Sequence, residues 1–125
     1  MGFPFQGVDF IGFDALLNDD ELMARDTARQ FVEDNLIPII EQCNRDGRFP
    51  QELVAPMGHL GFFGASLEGY GCAGMSNVEY GLVMQELERG DSGLRSFVRV
   101  TLTLMPSARV CEIAGRPSTV AGILM

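Results

Sequence analysis

Two short phrases, Asn18-x-x-Glu21 and Ser76-x-x-Glu79, constrain this chain more than anything else in it. Each spells a capping box, in which the first side chain accepts from an amide three residues on and the glutamate reaches back to the first amide. Such donors have no partner of their own at a helix start. Behind Ser76, the residues Tyr80, Val83, Met84 and Leu87 recur at helical spacing and make one apolar stripe. Behind Asn18, with Asp19 as the alternative cap, Ala24, Ala28, Phe31 and Val32 line an inner face in the same way. On the outer face, Glu21–Arg25 and Arg29–Glu33 have the spacing of favourable i,i+4 pairs.

Proline and glycine punctuate the rest. Pro38 removes one backbone donor and is expected to kink the first helix near residues 34–37 without ending it, because IPIIEQC continues apolar. Gly47 closes that helix. Pro50 then opens a short one as its first residue, with Leu53, Met57 and Leu60 as the buried side. The glycine-rich run from Gly61 to Ser76 is a loop. Gly90 is expected to end the Ser76 helix as a left-handed cap, and Asp91 or Ser92 to start another at once. The expected architecture is all-α, a helical up-and-down bundle over 18–104, preceded by an arm (1–17) and followed by an atypical tail (105–125).

At 125 residues the chain is one domain, burying about two-thirds of its unfolded surface. A formal charge of −8 argues against nucleic acid as a partner. No apolar run approaches the roughly 18 residues of a membrane span, so no membrane insertion is expected. The opening MGFPFQGVDF has no basic residue before its apolar positions and does not look like a secretory signal. The expected place is the cytoplasm, or the mitochondrial matrix in a eukaryote. Cys43, Cys72 and Cys111 are widely spaced and read as small apolar fillers, and the lone His59 assembles neither a triad nor a metal cluster. No metal site is expected.

Gly69, Gly71 and Gly74 match G-x-G-x-x-G, but helix and turn precede them and no parallel strands follow. A nicotinamide site needs that strand context, so the match is weak. A Walker lysine is impossible in a chain without lysine. Past Phe97 the character changes: residues 1–98 carry six arginines against sixteen acids, and residues 99–125 three against one. FVRVTLTLM alternates as a strand does, yet the helix is expected to run on to about Leu104, since tertiary context overrides short-range propensity.

Arg95 stands out chemically. It falls near the start of a helix, where the dipole disfavours a cation. Two readings are open on the residues alone. One is a solvated Asp91–Arg95 pair. The other is a guanidinium that grips a carboxylate, with Glu88, Asp91, Ser92 and Ser96 close in sequence.

Residues from about 14 to 98 resemble the N-terminal helical domain of the acyl-CoA dehydrogenases. The likeness is carried in order by ARQFVEDNLIPIIEQCNRDGRFP, ELVAPMGHLGFFG and LEGYGCAGMSNVEYGLVMQELERGDSGLRSFV, and ELERGDSGLRSF points to the glutaryl-CoA dehydrogenase branch. The resemblance implies FAD, a glutamate that removes the proton α to the thioester while hydride leaves the β carbon, an electron-transfer flavoprotein partner and a homotetramer. In that branch glutaryl-CoA also loses CO2 to give crotonyl-CoA. It further implies that Arg95 holds the far carboxylate of the acyl-CoA substrate, with Glu88 and Ser96 lining the same end of the pocket. This favours the carboxylate-gripping reading of Arg95. The catalytic glutamate and most FAD contacts fall outside the matched segment, so the chain is expected to supply the acyl-end pocket and to be inactive alone. Two departures stand out: Cys72 replaces a family glycine, and Arg99 replaces a serine that faces the substrate carboxylate. A free-standing helical interaction module is the competing expectation, and a nicotinamide-binding domain ranks behind it.

Overall fold

A computed structural model describes residues 7–65 and 74–104, with side chains to residue 100. The G-x-G-x-x-G phrase apart from Gly74, together with Cys72, Cys111 and the tail at 105–125, lies outside the described residues. Within them the chain is helices and turns, with no strand. Asp9 accepts from the amides of Ile11, Gly12 and Phe13 and so organises a short 3-10 turn, Phe13–Leu16.

Helix α1 spans Asp19–Phe31 and begins on the Asn18 box: Asn18 Oδ1 accepts from the Glu21 amide at 2.8 Å, and Glu21 Oε2 accepts from the Asn18 amide at 2.9 Å. A π-helical turn, Val32–Leu36, joins it to α2, Ile37–Asp46. Here the Ile37 amide reaches back to the Val32 carbonyl, one residue further than an α-helix would allow. The wide turn lies where Pro38 was expected to disturb the helix, and the run continues through it. Gly47 ends α2 with φ 62°, a left-handed cap that suits a residue without Cβ.

Pro50 precedes a 3-10 turn, Gln51–Leu53, which passes into the short α3, Val54–His59. Leu53, Val54 and Met57 are buried, whereas Leu60, expected inside, lies outside α3 and is 37% exposed. Helix α4 spans Asn77–Gly90 on the Ser76 box, with Ser76 Oγ and Glu79 Oε2 as acceptors at 3.2 and 2.8 Å. Helix α5 spans Ser92–Leu104, so the alternating FVRVTLTL is helical. Asp91, in extended backbone, is its cap: Oδ2 accepts from the Leu94 amide at 2.8 Å.

Gly90 corrects an expectation. It is the last helical residue of α4 rather than a left-handed cap, and its lack of a side chain is needed for packing. A Cβ there would stand 2.4 Å from Leu36 Cδ2 and 2.8 Å from Val32 Cγ1. The core gathers Val32, Leu36, Met57, Val83, Leu87 and Leu94 where α1, the π turn, α3, α4 and α5 meet. Phe97 of α5 packs on Phe49 and Phe63, with ring centroids 4.9 and 5.8 Å away.

The expected surface pairs on α1 are also replaced. Arg25 pairs with Asp14 and Asp26, because Glu21 is committed to its cap. Arg29 and Glu33 both reach to α4: Arg29 Nη2 lies 2.8 Å from Glu86 Oε1, and Arg89 Nη1 lies 2.7 Å from Glu33 Oε1. Arg89 Nε also holds Glu86 Oε2 at 2.9 Å. These contacts advance along both helices together, so α1 and α4 run side by side in the same direction. Glu86 is only 3% exposed. Burial pushes its carboxyl up, and the hydrogen bonds from Arg29 and Arg89 outweigh that, leaving it below the usual carboxylate range.

Candidate substrate-binding groove

Tyr80, Met84 and Glu88 recur every four residues and form one strip along α4, on the side away from Glu86. Helix α5 follows after a single extended residue, Asp91, and packs against α4. Arg95 and Arg99 sit one turn apart on α5. Between the two helices lies an open groove of about 480 Å³, lined by Tyr80, Gly81, Met84, Gln85, Glu88, Arg95 and Arg99.

Two of the three expected site residues meet here. Arg95 Nε donates to Glu88 Oε2 at 2.5 Å, and Ser92 Oγ donates to Glu88 Oε1 at 2.7 Å. The Arg95 side chain is 29% exposed and that of Glu88 is 44% exposed. The Arg95 and Ser92 hydrogen bonds hold the Glu88 carboxyl below its ordinary range, and Glu88 in turn holds the Arg95 proton more firmly. Both groups are therefore charged at neutral pH. The alternative reading, an Asp91–Arg95 side-chain pair, does not appear: Asp91 Oδ2 caps Leu94. Arg95 instead turns back across the helix break to a residue seven positions earlier.

Ser96, the third expected residue, is partly buried and outside the groove's lining. Arg99, by contrast, is part of it. The arrangement presents a guanidinium steered through Nε, with its terminal nitrogens unpaired among the described residues, beside an apolar wall of Tyr80 and Met84. That is chemistry for an anionic end group on a short carbon chain.

The polar group that sequence reasoning missed is Glu86, whose partner Arg29 lies 57 residues away. No local spacing announces such a pair. Among the described residues no buried side-chain nitrogen or oxygen lacks a partner, and no cluster of metal-ligating side chains occurs. No described helix is long and apolar enough to cross a membrane.

The family model for the acyl-CoA dehydrogenase N-terminal domain matches residues 18–111. The chain belongs to the acyl-CoA dehydrogenase family. Glutaryl-CoA dehydrogenase of Desulfococcus multivorans is 37% identical over 83 residues, covering 63% of this chain and 21% of that protein. The mitochondrial short-chain specific acyl-CoA dehydrogenase of Sus scrofa is 38% identical over 69 residues, covering 54% and 17%. A crystal structure of glutaryl-CoA dehydrogenase from Mycobacterium smegmatis superposes with a TM-score of 0.75 at 38% identity, over 86% of this chain and 31% of that one. The same organism's enzyme in complex with FADH2 gives 0.71 over 86% and 30%. The chain thus spans the N-terminal domain of a longer family architecture, with glutaryl-CoA dehydrogenases among its sequence and structural relatives.

Proposed function

We propose that this chain supplies the acyl-end pocket of an FAD-dependent acyl-CoA dehydrogenase that acts on glutaryl-CoA, converting it to crotonyl-CoA and CO2. The observation that supports this is the Glu88–Arg95 pair, which steers a guanidinium into the groove between α4 and α5. Arg95 binds the far carboxylate of the substrate. Glu88 positions Arg95, and Ser96 stands next to it in the chain. The methylenes of the acyl chain lie along Tyr80 and Met84. When bound, FAD supplies the hydride acceptor. The proton abstraction and the flavin contacts belong to domains beyond this segment, so the chain alone is inactive. In the complete enzyme the partners are an electron-transfer flavoprotein and three further copies, in cytoplasm or mitochondrial matrix.

The test grafts residues 18–104 into the Mycobacterium smegmatis glutaryl-CoA dehydrogenase in place of its matching segment. The graft is expected to prefer glutaryl-CoA over butyryl-CoA. Arg95→Ala should lower that preference by about 10- to 100-fold, the loss of hydrogen bonds to a charged group worth about 1.5–3 kcal/mol. An unchanged ratio of kcat/KM values overturns the role of Arg95 and favours a helical module with no part in substrate choice.

A further inference from the structure

We propose that Ser92 is a positioning residue that acts on substrate choice through Arg95: by holding one oxygen of Glu88, it confines that glutamate to a single contact with the guanidinium. The inference rests on the reading of the groove given above. Ser92 Oγ donates to Glu88 Oε1 at 2.7 Å, and Arg95 Nε donates to the other oxygen, Oε2, at 2.5 Å. A carboxylate with both oxygens free commonly forks onto a guanidinium. Here the hydroxyl occupies one oxygen, so Glu88 meets Arg95 through Nε and leaves the two terminal nitrogens to a ligand. Without that hydroxyl, Glu88 would compete with an incoming carboxylate for the same donors.

The break between the helices places the hydroxyl there. Asp91 is the single extended residue between α4 and α5, and Ser92, four positions after Glu88, opens the first turn of α5. The cap of α5 does not depend on Ser92, because Asp91 Oδ2 accepts from the Leu94 amide at 2.8 Å. Ser92 is exposed and the Glu88 side chain is 44% exposed, so packing does not hold either one. A glutamate side chain that free loses rotamer entropy when it is fixed, and its hydrogen bonds are what fix it. Ser92 therefore sets the plane of the Glu88 carboxylate and contributes little to the fold.

The test compares Ser92→Ala and Ser92→Thr in the graft described above, with Arg95→Ala alongside. Ser92→Ala should raise KM for glutaryl-CoA about three- to tenfold, the worth of one hydrogen bond, with kcat unchanged. KM for butyryl-CoA, which has no far carboxylate, should stay as it was. Threonine keeps the hydroxyl and should restore the glutaryl-CoA value, whereas a merely structural serine would move both substrates together. In the full 125-residue chain, the Arg95 Nη–H signals should shift in Ser92→Ala, as Glu88 forks onto them, and keep their places in Ser92→Thr. A glutaryl-CoA KM equal to the parent's, an equal loss for both substrates, or unmoved Arg95 signals in Ser92→Ala would each overturn the inference. It falls alone if Arg95→Ala still lowers the preference for glutaryl-CoA, and together with the reading of the groove if that variant keeps it.

Discussion

Gly90 and Leu36 approach so closely that a Cβ on the glycine would stand 2.4 Å from Leu36 Cδ2. Leu36 is fully buried, so its methyl has nowhere easy to go. The α4 backbone thereby lies directly on the π turn, and the end of α4 is set by that contact.

Gly81 and Gly90 lie in the same helix and should respond oppositely to alanine. At Gly81 the new methyl meets open space, and better helix propensity should raise stability by about 0.5–1 kcal/mol. At Gly90 the same gain is outweighed by overpacking, for a net loss of about 1 kcal/mol. Urea unfolding followed by circular dichroism measures both. Equal stabilities for the two variants would rule out the close contact.

The Glu86 network predicts acid sensitivity. The folded carboxyl titrates below its ordinary value of 4.5. Its contribution is therefore complete above that value and is lost as pH falls through the lower, folded one. Glu86→Gln should reduce neutral-pH stability by about 1–3 kcal/mol and flatten the stability curve in the acid range. A curve as steep as that of the parent chain would show that other carboxyls control the acid response.

Each capping box should be separately measurable. Asn18→Ala and Ser76→Ala each remove the side-chain acceptor seen at a helix start, and each should lower stability by about 1 kcal/mol. Glycine in place of either should lower it by only a few tenths of a kcal/mol. An alanine variant as stable as the parent would mean that solvent serves that amide equally well.

Phe97 carries a stability prediction for α5, which forms one wall of the groove. Its ring sits against Phe49 and Phe63 and ties α5 to the segments before α4. Phe97→Ala should cost about 2–3 kcal/mol, somewhat less than a fully buried ring. Amide exchange should then quicken in α5 before α1. Uniform quickening along the chain would mean that the ring supports the whole fold rather than this wall.

What the sequence made legible was local. The Asn18 and Ser76 boxes are four-residue signals, and both helices start where those signals lie. Gly47 acts at its own position, and the π turn Val32–Leu36 lies just before Pro38. Gly90 was located correctly as the end of a helix but for the wrong physical reason, since contact with Leu36 depends on a partner 54 positions earlier in the chain. Glu86 looks like any surface glutamate until α1 delivers Arg29 to it. Arg29 and Glu33 are spaced to pair with each other, yet stronger tertiary partners on α4 take both. At the site, motif likeness led to Arg95 and Glu88, while the placing of Arg99 in the groove and Ser96 outside it needed the α4–α5 packing.

The Glu86 carboxylate has its two oxygens fastened to guanidinium groups on both sides of the α1–α4 seam. Sliding α4 by one turn along α1 would part Glu86 from Arg29 and Arg89 from Glu33, so two ion pairs across the seam oppose ratcheting of the two helices. The strip of Tyr80, Met84 and Glu88 lies on the opposite side of the same helix. That side of α4 carries one wall of the groove, so the ion pairs that hold α4 in register on α1 also hold that wall in register.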